Sequence, residues 1–371
     1  MSTVKPWKAF LKETTMQFIK TFAFTLLLSN PMLITESNAA NIQNEALNYN
    51  TVIATWEPQH ASIKGFDEAE KLLSQSRYLF AQGNERERVT RFTRAMRNNY
   101  DALNLGQKER LVVLEARLLQ GIHKFEQAEQ HLAQISHYRS PAAHLLLADI
   151  NIQRGNAKQA KQYCEQLVGK TSFLIAFTCM VNADFSQKAE PRLLQKLKAF
   201  EIYTGSATHT EQEWFYEVLA DMTLELGNAE EALQLLGKTE FSQLPISAFL
   251  VWAEAHTSLG NFKIITETLE ASVPDISTAD DGLLLQWAKA ERAQGIQTSS
   301  VQSQLAKNME IRVWREDSSH AAQVATYFLE VEPNYALALK FAELNWQYAQ
   351  NNSDKQLLER ARQAKAVSTD V

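Results

Sequence analysis

Residues 142–167, AAHLLLADINIQRGNAKQAKQYCEQL, decide the fold. Two stretches of helical periodicity flank the turn Gly155–Asn156. Ala148 stands seven residues before the glycine and Ala160 five after it. A small side chain where two helices cross lets their backbones approach to about 8–10 Å. Glycine ends the first helix by entering the left-handed region without a Cβ penalty. Asn156 is then placed to cap the second helix.

The same design recurs at Gly83–Asn84, Gly227–Asn228 and Gly260–Asn261. Seven residues before these glycines, and before Gly295, stand Ser76, Ala220, Ala253 and Ala288; Ala116 joins them if His123 takes the glycine's place. Large apolar residues (Leu72, Val112, Tyr216, Phe249, Leu284) stand eleven before. Five after come Ala128 and Ala232, whereas Arg88, Ile265 and Ser300 depart from the pattern. The turns at 83, 123, 155, 227, 260 and 295 are separated by 40, 32, 72, 33 and 35 residues. The 72-residue gap holds two units, which predicts a further turn near Asn182–Ala183 with Ala176 as its small residue.

A period near 34 with this small–Gly–small–Pro pattern resembles the tetratricopeptide repeat (TPR) family over roughly residues 65–366. The resemblance implies an all-α fold, a right-handed superhelical solenoid of helix-turn-helix repeats. It identifies a fold rather than an activity. Pro141, Pro245, Pro274 and Pro333 fall between the predicted hairpins, so punctuation and period agree.

Residues 1–39 do not belong to the repeats. Lys5, Lys8, Lys12 and Lys20 precede the apolar run 22–28, and Ser37–Ala40 supplies small residues for a cut after Ala39. This is the layout of a secretory signal, with Met16 as an alternative start. The apolar run is short for a membrane span. Neither cysteine, Cys164 or Cys179, lies at the cut site to carry a lipid. The expected product is an exported protein, periplasmic or secreted, with no integral membrane span after cleavage. It would comprise a lead-in segment at 40–64, the repeats at 65–366 and a tail at 367–371.

Cleavage removes four lysines, Glu13 and Glu36, moving the formal charge from −6 to −8. An acidic chain of this kind is a poor match for nucleic acid. No phosphate loop, G-x-S-x-G elbow or HExxH motif is present, so neither enzyme chemistry nor a cofactor is expected. His123, His131, His137 and His144 lack the i, i+4 spacing of a helical metal site and read as surface or capping residues. Trp252 and Trp287 occupy equivalent positions eight before their glycines and read as core.

Cys164 and Cys179 lie at similar distances from a bend near Gly169–Thr171. In an oxidising compartment they could close a disulfide worth about 3 kcal/mol. Adjacent helices often hold Cα atoms too far apart for that, and two buried free thiols are the favoured reading.

In TPR-like solenoids the first helices line a concave groove. The positions expected to face it are Asp149, then Glu217, Asp221 and Glu225, then Glu254, with Lys289 and Arg292 behind and Arg77, Arg110 and Arg117 in front. An acidic centre suits a protein or peptide with a basic segment. A protein-binding adaptor or scaffold in an envelope assembly or secretion complex is the primary expectation. The alternative is a glycan-associated protein using Arg88, Arg91, Arg94 and Arg97, which the spacing of three reads as one basic stripe.

Overall fold

The computed structural model describes residues 63–78, 81, 84–135, 140–239 and 244–369. These belong to a compact unit beginning at His60. The proposed signal, nearly all of the lead-in, Gly83 and His137 lie outside the described residues.

Among the described residues the regular structure is helical. It starts with α1 (Phe66–Gln75), α2 (Glu85–Asn98), α3 (Leu105–Gln120), α4 (Phe125–Ala133), α5 (Pro141–Gln153) and α6 (Ala157–Glu165). It continues with α7 (Phe173–Gln187), α8 (Pro191–Lys198), α9 (His209–Glu225), α10 (Ala229–Leu236), α11 (Ile246–Ser258) and α12 (Phe262–Ser272). It ends with α13 (Asp281–Ala293), α14 (Ser300–Arg315), α15 (Ala321–Glu330), α16 (Tyr335–Trp346) and α17 (Asn352–Thr369). Each odd-numbered helix through α15 packs on the even-numbered helix that follows. Each also packs on the next odd-numbered helix, so α1, α3, α5 and onward to α17 form one continuous layer. None of the described helices is long and apolar enough to cross a membrane.

The small residues set this spacing. Ala116, Ala148, Ala220, Ala253 and Ala288 are at most 1% exposed, where their helices meet neighbours. Ala128, Ala160 and Ala232 on the second helices are buried too, and so is the larger Ile265 at the equivalent place. The turns share a mechanism. Gly155, Gly227, Gly260 and Gly295 have φ of 73°, 86°, 72° and 82°, and His123 takes the same region at 56°. The N–H of the next residue then bonds the carbonyl five back, as in Asn156 to Asn151 and Lys124 to Leu119. Asn228 also caps α10 through its side chain, whereas Asn156 and Asn261 make no side-chain cap.

Two boundaries differ from the sequence reading. The turn predicted at Asn182–Ala183 is absent: α7 runs through it, and the break comes at Lys188–Glu190. Asn182 has no glycine beside it to enter the left-handed region, while Pro191 suits the first turn of α8 and stops anything earlier. At the C-terminus α17 continues through Thr369, beyond the predicted start of the tail.

The core consists of linked clusters, each shared by adjacent helices. One of them joins remote parts of the chain. Ala349, between α16 and α17, is 6% exposed and packs with Val112, Leu132 and Ile150 of α3, α4 and α5. Nearby, Gln350 N–H donates to the Gln153 carbonyl at 2.7 Å, and Asn351 Nδ2 donates to Gln153 Oε1 at 2.9 Å. A second long-range contact involves the turn after α1: Ile246 N–H donates to the Arg77 carbonyl at 2.8 Å, and Tyr78 forms a backbone bridge with Pro245.

Candidate binding site on the inner helices

Helix α9 carries a carboxylate every fourth residue: Glu213, Glu217, Asp221 and Glu225. Residues four apart on a helix lie on one face, about 6 Å apart along the axis. Like charges at that spacing repel, so each needs a partner or stays perturbed. The long-range contacts supply most of these partners.

Glu213 is 4% exposed and accepts from Tyr78 Oη at 3.1 Å; His209 Nε2 lies 3.1 Å from its other oxygen. Glu217 is half-buried, 3.8 Å from Arg77 and bonded to Ser247; burial still raises its pKa. Glu225 accepts from Asn352 Nδ2 at 3.0 Å, at the start of α17, and burial raises it as well. The turn after α1 thus meets one end of α9, and the start of α17 meets the other.

Asp221 lies between them and differs. No hydrogen-bond donor or cation is paired with it among the described residues. The surrounding protein and the carboxylates Glu225, Glu254 and Glu217 push its pKa up to about 7. Its side chain is nevertheless open to water. Arg117 on α3 is in the same condition, exposed to water yet lowered in pKa by the protein around it.

The other groove positions fall as follows. Asp149 on α5 accepts from Gln120 and Gln153, but burial dominates and raises its pKa. Glu254 on α11 is exposed, and Gln286 Nε2 on α13 approaches it at 3.4 Å. Lys289 is tied to Glu330 at 2.9 Å and Arg110 to Glu70 at 2.7 Å. Asp149, Glu217, Asp221, Glu225 and Glu254 therefore all lie on odd-numbered helices. The sequence reading missed Glu213, whose i−4 relation to Glu217 was a usable signal, and Gln286, which only the packing of α13 near α11 brings in.

The four arginines of α2 do not form one stripe. A spacing of three drifts about 60° per step around a helix. Arg88 pairs with Glu68 at 3.7 Å and Arg97 with Glu115, while Arg91 and Arg94 are exposed and in no ion pair among the described residues.

Cys164 on α6 and Cys179 on α7 are joined by a disulfide, Cα to Cα 5.4 Å, within the small cluster that includes Ala148, Ala160 and Ala176. The favoured reading of two free thiols is thereby corrected: alanines at the neighbouring positions bring α6 and α7 close enough to bridge.

Among the described residues no group of three His, Cys, Asp or Glu side chains is arranged to hold a metal. His144 Nδ1 lies 3.0 Å from the Ser140 carbonyl, and His123 stacks on His320 with ring centres 5.8 Å apart. The chain matches no protein-family model and no curated protein.

Proposed function

We propose that this protein is an exported adaptor or scaffold of an envelope assembly or secretion complex. We further propose that it is built as a right-handed superhelical TPR-like solenoid and binds a protein partner through a basic segment. The continuous layer of odd-numbered helices and the glycine turns support the solenoid reading. The Cys164–Cys179 disulfide supports export, since such bonds persist in oxidising compartments. The observation that carries the binding reading is the carboxylate row of α9, in which the charged groups acting on Asp221 among the described residues are all carboxylates. No catalytic role, cofactor or nucleic acid enters this proposal.

The test is affinity capture from envelope extract with the mature chain and with a D221K/E254K variant, at low and moderate salt. A stoichiometric partner released by salt and lost in the variant is the expected result. Co-sedimentation with cell-wall glycan, with no protein partner and loss in R91E/R94E, would replace the adaptor reading by the glycan one; exposed Arg91 and Arg94 are what that reading retains.

A further inference from the structure

A recess of about 800 Å³ lies away from the α9 row, bounded by α4, the α5–α6 turn, α6 and the last turn of α7. Its size is that of a small-molecule site, about 300–1,000 Å³. Such sites are mostly apolar. This one is not, because side-chain amides predominate in its lining.

Most of those amides are uncommitted. Asn156, Gln159, Gln162 and Gln187 are exposed, and their side chains make no hydrogen bond to another described residue. Asn151 is the exception: it is 1% exposed and donates to the Leu147 carbonyl at 2.8 Å and to Glu129 at 3.3 Å. The helices around the recess are fixed. The Cys164–Cys179 disulfide and the Lys161–Asp184 pair at 2.8 Å both tie α6 to α7, the helices that carry Gln162 and Gln187. A ligand entering between them does not bear the cost of ordering the backbone.

The chemistry of the lining selects the ligand. A side-chain amide offers donors and an acceptor together, and so matches groups that both donate and accept, as hydroxyls do. The charged side chains of the lining are Glu129, already paired with Arg154, and Lys158. One carboxylate and one ammonium together favour neither an anion nor a cation. Tyr163, half-buried, contributes an aromatic ring. A sugar ring has an apolar C–H face as well as a hydroxylated edge, and so uses both kinds of group.

We infer that this recess binds a neutral carbohydrate, with Gln162 and Gln187 hydrogen-bonding its hydroxyls and Tyr163 packing on its ring. The site shares no residue with the α9 row or with the arginines of α2, so it is independent of the adaptor reading and of its glycan alternative.

The probes are maltotriose, cellotriose, mannotriose and triacetylchitotriose, each titrated into the full chain by saturation-transfer NMR and calorimetry. Saturable one-to-one binding of at least one is expected. Losing one hydrogen bond corresponds to a several-fold change in affinity, so Q162A and Q187A should each weaken binding about three- to tenfold and the double variant more. Gln234 is exposed on α10 outside the recess, and Q234A should leave binding unchanged. The substituted glutamines lie at the surface, and circular dichroism checks that each variant is folded. No saturable binding of any of these sugars overturns the inference, as does unchanged binding in the folded Q162A/Q187A variant. Inorganic phosphate is titrated alongside: phosphate binding that K158A abolishes, without sugar binding, assigns the recess to anions and overturns it too.

Discussion

Tyr78 donates its hydroxyl to Glu213 across 135 residues of chain, at 3.1 Å. Glu213 is buried, so the bond links the turn after α1 to the start of α9 at a place where the carboxylate has little water to fall back on. Tyr78→Phe keeps the ring and removes the donor. We expect a loss of about 1–2 kcal/mol in urea unfolding. No loss would mean that His209, also 3.1 Å from Glu213, holds the carboxylate by itself.

Gly155 measures the other long-range contact. A Cβ there would stand 2.8 Å from the Gln350 carbonyl oxygen, and φ is +73°. Gly227 has φ of +86° but open space around it. Gly227→Ala should therefore cost only the left-handed penalty, about 1–2 kcal/mol. Gly155→Ala should cost at least about 1 kcal/mol more, because backbone and not a flexible side chain must give way. Equal midpoints for the two variants in chemical denaturation would show that the α5–α6 turn and Gln350 are not packed together in solution.

The disulfide between Cys164 and Cys179 closes a loop with a sequence separation of 15. Constraining the unfolded chain over that length contributes about 3 kcal/mol. The double variant C164A/C179A should lose about that much, and a reducing agent should lower the stability of the native protein but not of the variant.

Asp221 and His123 set opposite pH dependences. The folded pKa of Asp221, about 7, lies above its usual 3.8, so the native state holds a proton that the unfolded chain has released. Its contribution therefore rises as pH falls through 7 and levels off near 4. D221N removes that slope and should stabilise at pH 8 by about 1 kcal/mol, a figure reduced for the water that screens this exposed carboxyl.

His123 works the other way. Burial, the facing His320 ring and Arg86 push its pKa down to about 4 from 6.5. The unfolded chain takes up the proton first, so stability is lost as pH falls from about 6.5 to 4. His123→Asn tolerates the positive φ and carries no titrating proton. It should flatten the acid limb of the stability profile, as read by thermal midpoints between pH 4 and 7.

The hairpins and most of their ends were legible in the sequence because they depend on local chemistry. A glycine, or His123 in its place, enters the left-handed region within a few residues of the helix it ends, and an alanine seven residues earlier sets how closely the next helix approaches. The failure at Asn182–Ala183 fits the same reason: a period was extrapolated where no such residue exists. The tertiary structure decided what has no local signature. Tyr78 with Glu213, Gln153 with Asn351 and Asn352 with Glu225 join residues 135, 198 and 127 apart. Such pairings follow from the accumulated angle of many packed helices, to which each residue adds a little and which no single motif encodes. The same accumulation determines which carboxylates of α9 meet a donor and leaves Asp221 among its own kind. By itself, the sequence determined that Glu217, Asp221 and Glu225 share a helix face; only the fold decided that the middle one stays unpaired among the described residues.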